Sequence, residues 1–144
     1  MPAPAVVAIV LAVVFAALAA LHIVWAARGT RDVDESGAVP TRADGTPLFR
    51  PRRASTLAVA IALLVAALVV LGRSDAWRLA GPDWIYRAGA WTVGAVLLLR
   101  TVGDFRYVGL FKRHRESRFA LLDTRYFTPL CAALAAGTLY LAAR

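Results

Sequence analysis

Four long apolar runs dominate the chain and restrict the folds open to it. They cover residues 5–27, 54–72, 84–102 and 126–143. A helix needs about 20 predominantly apolar residues to cross a bilayer; the second and fourth runs contain no charged residue at all. Hydrophobic residues make up 60% of the chain, against about 45–50% in soluble domains. The sequence therefore predicts a single all-α membrane domain, a bundle of four transmembrane helices.

Two of the runs admit another interpretation. Arg87 lies near the start of the third run, and only residues 88–99 are strictly uncharged, which is too short to span alone. The length suffices if residues 84–86 lie at the interface and Arg87 snorkels outward or pairs with Asp83. In the first run, residues 17–19 imitate a signal-peptide cleavage site, but no Lys or Arg precedes them and the run exceeds a signal-peptide core. A span is the preferred interpretation of both runs.

The basic residues predict how the four spans are oriented. Six Lys or Arg lie in residues 28–53 and seven in residues 100–125, whereas the connection between the second and third runs offers only Arg73, Arg78 and Arg87. Under the positive-inside rule, loops 28–53 and 103–125 face the cytoplasm and both termini lie outside. The predicted location is a multi-pass protein of the plasma membrane.

The net charge of +8 indicates an anionic partner. Because the basic residues lie in loops between apolar runs rather than on one soluble face, anionic lipid headgroups are the expected partner and nucleic acid is not. Six basic residues of the cytoplasmic loops are predicted to contact headgroups. They are Arg50, Arg52 and Arg53, which lie just before the second run and can snorkel to phosphates, and Lys112, Arg113 and Arg115 of the last loop.

The last cytoplasmic loop has the pattern of a helix lying in the membrane interface. Phe105, Val108, Phe111 and Phe119 can share a lipid-facing side while the basic residues between them stay in water. An interfacial amphipathic helix between the third and fourth spans is therefore one prediction. An ordinary solvated loop is the alternative.

Polar residues at the cytoplasmic ends of the spans form a candidate cluster. The candidates are His22, Trp25, Arg100, Asp104, Arg106 and Asp123. His22 is expected to face the bundle and to bond Asp104, Asp123 or a backbone carbonyl, because lipid offers no partner. Arg100 and Asp104 are four residues apart and can pair along one helical turn, or Arg100 can hold an anionic ligand. The cluster either pins helices together or forms a site.

No catalytic, cofactor or metal motif occurs in the sequence. The chain lacks a Gly-rich phosphate loop, a His-Glu-x-x-His motif and a nucleophile elbow. Cys131 is the only cysteine and lies in an apolar run, so it is interpreted as a small buried hydrophobe. No cofactor and no metal are predicted, and whether the protein is an enzyme stays open.

Three functional hypotheses remain. The first is a non-catalytic membrane module or accessory subunit that associates with itself or with another membrane protein. Its motivation is the alanine rows at residues 8, 12, 16 and 20 and at 54, 58, 62 and 66, which let helices approach closely. The second is a binding site or enzyme for an anionic amphiphile that uses His22, Arg100, Asp104 and Arg106. Transport is ranked third, because transporters that couple to protons or ions keep ionisable residues near the span centres, and these spans carry none there.

Several blocks of the sequence resemble a known family. They are His22-Ile-Val-Trp25, Pro82 with Trp84, Leu-Arg-Thr-Val-Gly-Asp-Phe-Arg-Tyr-Val-Gly-Leu-Phe at 99–111, and Leu-Asp-Thr-Arg-Tyr-Phe-Thr-Pro-Leu-Cys at 122–131. Together they resemble domain-of-unknown-function family thirty-nine ninety-five, small four-span bacterial membrane proteins. The resemblance implies the four-span architecture and a bacterial inner membrane, and it supplies no reaction. It marks His22, Trp25, Arg100, Gly103, Asp104, Arg106, Asp123 and Pro129 as positions that match the family's motifs.

Overall fold

The architecture is all-helical in the part of the chain that the computed structural model describes, residues 3–28, 37–42, 44–74 and 80–144. The helices are α1 (Ala3–Arg28), α2 (Arg53–Gly72), α3 (Asp83–Val102), α4 (Arg118–Leu122) and α5 (Thr128–Ala142), and a π-helical turn (Asp123–Phe127) joins α4 to α5. These bounds lie close to the four predicted apolar runs. The described ranges contain no strand, and their β pairing is one isolated bridge between Thr41 and Pro47.

The last helical segment begins earlier than the apolar pattern indicates. Helical structure runs without a break from Arg118, so Pro129 lies inside it rather than in its first turn. A proline inside a helix has no N–H to donate and crowds the preceding turn. The π-helical turn lies directly before Pro129, and the Thr128 N–H bonds the Asp123 carbonyl five residues back. The wider turn is the local adjustment expected beside such a proline.

The core forms where α1, α2 and α5 meet, and α3 packs mainly on α5. Phe15 of α1, Val70 of α2 and Leu141 of α5 are among its most deeply buried side chains. Gly94 allows α3 to approach α5 closely, since a Cβ atom there would come within 2.5 Å of Leu139. The four long helices therefore form one packed body.

The alanine rows are only partly buried. Ala8 and Ala12 pack in the core, whereas Ala16, Ala20, Ala54, Ala58 and Ala62 are exposed. A step of four residues turns about 40° further than one full turn of a 3.6-residue helix, so a row of four cannot stay on one buried face. Five of the eight row residues therefore lie on outer faces of the helices, where the predicted association with another helix would need them.

Two helices, α1 and α2, are long and apolar enough to cross a membrane. Only 28% of the apolar window of each is buried, and large side chains such as Val13 and Ile61 point outward with 62% of their surface exposed. A core helix of a soluble protein would be mostly buried, so the exposure favours lipid around these helices. Helix α3 carries Arg87 and Arg100, and α5 has 15 residues, so neither meets the same criterion of length and composition.

The predicted interfacial helix does not form across the loop after α3. Residues 103–117 are irregular turns, and the short helix α4 starts only at Arg118. Gly103, Phe105 and Gly109 all have positive φ angles, of 88°, 61° and 89°. A right-handed helix cannot pass through such residues, which is why the apolar periodicity of this loop misleads.

Candidate functional site

Asp123 is the centre of the polar cluster that the structure assembles. It is the first residue of the π-helical turn, and its side chain is fully buried. Its Oδ1 accepts a bond from Nη2 of Arg100 at 2.6 Å. Its Oδ2 accepts from Nζ of Lys112 and from the N–H of Gly109, each at 2.9 Å. One carboxylate thus joins α3, the following loop and the start of the last helical segment.

A close contact between Gly103 and Gly109 places the loop after α3 against Asp123. Gly103 ends α3 by donating its N–H to the Leu99 carbonyl at 2.8 Å. The backbones of Gly103 and Gly109 then touch: a Cβ atom on Gly103 would lie 1.8 Å from the Val108 carbonyl oxygen, and one on Gly109 would lie 2.5 Å from Cα of Gly103. This contact is open only to residues without a Cβ atom. It directs the Gly109 N–H and the Lys112 side chain toward Asp123.

Asp104 holds the loop in shape from its outer side. Its Oδ1 accepts the N–H groups of Arg106, Tyr107 and Val108 at 2.9, 2.7 and 2.9 Å. Burial by itself raises the pKa of Asp104, but these three bonds lower it by more, so the net pKa lies below the ordinary value. Asp104 is thus an ionised carboxylate that orders its own turn.

The Asp123 carboxylate is also stabilised in its charged form. Burial raises its pKa, while the bonds from Lys112, Arg100 and the Gly109 N–H lower it by more, so the net pKa is below that of an ordinary aspartate. Both oxygens are occupied by donors from the chain itself. Such a carboxylate is suited to holding segments together and poorly suited to accepting a proton at neutral pH.

Two predicted roles require correction. Arg100 pairs with Asp123 and not with Asp104, because α3 ends at Gly103 and the turn carries Asp104 out of helical register. Lys112 does not reach headgroups, because its side chain is only 3% exposed and bonds both Asp123 and the Gly109 carbonyl. The other residues predicted to contact headgroups, Arg50, Arg52, Arg53, Arg113 and Arg115, are exposed.

His22 lies outside the Asp123 cluster, beside a separate cavity next to α1. Its Nδ1 donates to the Leu18 carbonyl of its own helix at 2.8 Å, and its ring meets Trp25 edge-on at 5.1 Å. The sequence predicts Asp104, Asp123 or a backbone carbonyl as the hydrogen-bond partner of His22, and the structure shows the backbone carbonyl. His22 and Trp25 line an apolar cavity of about 240 Å³ with Phe49, Pro51 and Val59. The cavity lies between α1, the start of α2 and the loop before α2.

Arg106 contributes to the loop chiefly through its backbone. Its carbonyl accepts the N–H groups of Arg113 and His114 at 3.2 and 3.0 Å. Its exposed guanidinium lies over the Tyr107 ring at 5.5 Å. The structure therefore brings Arg100 and Asp123 together and leaves His22, Asp104 and Arg106 outside that contact. Within the described ranges, no three His, Cys, Asp or Glu side chains form a group that could hold a metal ion.

Lys112 and Gly109 are the members of the cluster that sequence reasoning missed. The sequence does contain one signal, because Lys112 is the single lysine in a chain with 16 arginines. An ammonium group is compact and can bond a carboxylate and a carbonyl at once in a confined space, whereas a guanidinium needs a wider planar site. A lone lysine in an arginine-rich loop can thus indicate a buried role.

Comparison with known proteins gives a family and no activity. The family model described as "Protein of unknown function (DUF3995)" matches residues 4–138, which include all the helices except the end of α5. No curated protein and no solved structure matches the chain. Since the match covers nearly the whole sequence, the chain belongs to this family of unknown function.

Proposed function

We propose that the protein is a four-span integral membrane module without catalytic activity of its own, whose Asp123 cluster fastens α3 to the last helical segment at the cytoplasmic end. One observation carries the proposal: the buried Asp123 has both oxygens bound by Arg100, Lys112 and Gly109 of the same chain. Two cavities of about 240 and 620 Å³ are lined by other residues. A carboxylate whose two oxygens are bound by the chain itself holds those segments together, which favours a structural role for the cluster.

The exposure of α3 supports its assignment as a span. Trp91, Val96 and Leu99 leave 48%, 59% and 70% of their surface exposed, which water would penalise and lipid would not. The uncharged run 126–143 covers 18 residues, about 27 Å at 1.5 Å per residue when helical. That length lies within the range of about 17–25 residues with which helices cross a bilayer. The basic loops give the orientation, with both termini outside.

Cysteine labelling in intact bacterial cells tests this topology. In a Cys131→Ser background, an impermeant thiol reagent should label Arg144→Cys at the C-terminus and should not label Asp44→Cys or Glu116→Cys until the membrane is permeabilised. Asp44 and Glu116 lie in the two basic loops and are exposed. Labelling of Glu116→Cys from outside, or protection of Arg144→Cys in intact cells, would contradict the four-span arrangement.

The role as an association module needs a separate experiment. The exposed alanines of α2, Ala54, Ala58 and Ala62, leave an outer face that another helix can approach closely. Extraction in native lipid discs followed by mass measurement should give either an oligomer of this chain or a stoichiometric complex with another membrane protein. A monomer without a partner would end this proposal.

A second candidate function is a site for an anionic amphiphile at the cytoplasmic face, and one observation favours it. Nη1 of Arg100 is buried and has no hydrogen-bond partner, and buried guanidinium donors normally find an acceptor. An anionic group or a water molecule would satisfy it. Arg100→Lys and Arg100→Ala variants should then lose a lipid that co-purifies with the wild type. Unchanged lipid retention in folded variants, measured by native mass spectrometry, would eliminate this candidate.

A further inference from the structure

A second basic region lies apart from Asp123, in a cavity of about 620 Å³ between two loops. Arg42 lies on one wall, in the loop before α2, and Arg113, Arg115 and Arg118 lie on the other, ahead of and at the start of α4. Among the described residues that line the cavity, Glu116 is the one carboxylate. We propose that this basic groove binds a phosphate group, carried either by a lipid headgroup or by a soluble molecule.

The groove arginines Arg42 and Arg113 differ from other arginines of the fold in the partners of their side chains. Arg73 and Arg100 each pair with an aspartate. Within the described ranges, neither Arg42 nor Arg113 forms an ion pair with a carboxylate. The Arg42 guanidinium makes 3.4 Å contacts to the Thr46 hydroxyl and the Pro47 carbonyl, and its charge helps to lower the pKa of Asp44. Arg42, Arg113 and Arg115 line one cavity, and the described part of its lining holds one carboxylate, so together they attract an anion that can accept several bonds at once. Phosphate fits that requirement best because its oxygens match the planar guanidinium fork.

Backbone hydrogen bonds fix the wall that carries Arg42. The Arg42 N–H donates to the Thr46 carbonyl at 2.8 Å, and the Gly45 N–H donates to the Arg42 carbonyl at 3.0 Å. Asp44 closes the turn by accepting the Thr46 N–H at 3.0 Å and its hydroxyl at 2.6 Å. Arg42 therefore extends from a hydrogen-bonded turn, which lowers the entropy lost when it binds a ligand.

The opposite wall is fixed in a similar way. The N–H groups of Arg113 and His114 both bond the Arg106 carbonyl, and the His114 ring stacks on Tyr107 at 4.8 Å. Nε of Arg115 donates to the Lys112 carbonyl at 3.3 Å, and Lys112 is itself bound to Asp123. The groove thus rests on the same loop that the Asp123 cluster holds in place.

Two exposed aromatic side chains lie in the same loop as one wall of the groove, and we expect them to place this loop at the membrane surface. Phe105 and Phe111 stack at 6.0 Å and each leaves 58% of its surface exposed. Phe105 directly precedes Arg106, whose carbonyl anchors the groove wall. Aromatic rings beside basic residues are typical of segments that lie at the headgroup level. Phosphate of a lipid headgroup is therefore within reach of the groove, and a soluble phosphate compound can enter from the aqueous side.

Lipid binding by the full chain in nonionic detergent tests the proposal. The probes are a phosphatidic acid, phosphatidylcholine as the zwitterionic comparison, and inorganic phosphate as the competitor, with retention measured by native mass spectrometry. The wild type should bind phosphatidic acid more tightly than phosphatidylcholine. Arg113→Gln combined with Arg115→Gln should weaken phosphatidic acid binding about tenfold or more, since each charge-assisted bond contributes substantially. Arg42→Gln, on the other wall, should act independently in the same direction, which keeps the test valid if the double variant fails to fold.

The matched control is Arg28→Gln combined with Arg144→Gln, which removes the same charge from two exposed arginines outside the groove, one at the end of α1 and one just after α5. This control should change binding less than about threefold, the size expected of screened surface charges. Displacement of phosphatidic acid by inorganic phosphate would indicate that a soluble phosphate compound suffices, whereas lipid binding without displacement would assign the headgroup as the source. Both results support a phosphate site. Equal binding by the wild type and both groove variants, or an equal loss in the control, would overturn it, whatever the topology and activity of the protein.

Discussion

Lys112 and Asp123 form a buried ion pair across 11 residues of sequence, with Nζ 2.9 Å from Oδ2 and side-chain exposures of 3% and 0%. Arg100 completes the cluster from α3. The net contribution of a buried pair to stability is modest, because desolvation offsets the attraction, but removing one partner leaves a buried charge uncompensated. The cluster therefore specifies one position for the loop after α3.

Removal of one partner should be costly. Asp123→Asn is expected to lower the free energy of unfolding by about 3–5 kcal/mol, because it leaves Lys112 charged and buried without a counter-ion. The double variant Asp123→Asn with Lys112→Met should lose less than the sum of the two single changes. Chemical denaturation in detergent measures these values.

The control for that experiment is the ion pair between Arg73 and Asp83, which joins the ends of α2 and α3. Asp83 is 71% exposed, so water can replace its carboxylate beside Arg73, whose side chain is 8% exposed and also donates to the Leu141 carbonyl. Asp83→Asn should therefore lower the free energy of unfolding by about 1–2 kcal/mol, less than Asp123→Asn does. Equal losses of unfolding free energy for Asp83→Asn and Asp123→Asn would show that burying the carboxylate does not increase its contribution to stability.

Acid should weaken the fold through Asp123. Its native pKa lies below the ordinary value, so its stabilising contribution is fully present above about pH 4, the ordinary pKa of an aspartate. That contribution is lost as the pH falls through the lower native pKa. The melting temperature of the wild type should therefore drop more steeply below about pH 4 than that of Asp123→Asn. Parallel curves for the two proteins would contradict the cluster's role.

Much of the helical architecture could be predicted from the sequence, because apolar composition and helix breakers act locally. The apolar runs 5–27, 54–72 and 84–102 lie within a few residues of the bounds of α1, α2 and α3. The start of the last helical segment was missed, since Arg118 and Asp123 are polar and only the fold shows that they continue into α5.

The polar cluster could be predicted only in part. The sequence predicts Arg100 and Asp123 as members of one polar cluster, and the structure brings them together. Their pairing depends on how α3 meets the π-helical turn, which no local spacing encodes. Arg100 and Asp104 have helical spacing, yet Gly103 ends the helix between them. The burial of Lys112 follows from the contact between Gly103 and Gly109, which lie six residues apart and meet only through the turn that Asp104 stabilises.

That glycine contact gives a prediction with a clean comparison inside the chain. Gly109→Ala should strongly destabilise the loop, by about 2 kcal/mol or more, because the new Cβ atom would lie 2.5 Å from Cα of Gly103 and φ is +89°. Gly45→Ala also has a positive φ of +81°, but nothing lies within 4 Å of its Cβ position, so only the backbone strain of about 1 kcal/mol remains. Equal melting temperatures of the two variants would contradict the close backbone contact.

Asp104 is expected to keep the loop after α3 ordered and to contribute little to the stability of the whole fold. Asp104→Ala removes the acceptor of the Arg106, Tyr107 and Val108 N–H groups, a loss comparable to that of a helix cap, about 1–2 kcal/mol. Water can reach these exposed groups, so we expect faster hydrogen exchange at residues 106–108 and a small change in melting temperature. Asp104→Asn retains a carbonyl oxygen and should give intermediate exchange, while Asp44→Ala, in the other loop, should leave residues 106–108 unchanged. Wild-type exchange rates in Asp104→Ala would mean that the turn is held by the Gly103 and Gly109 contact alone.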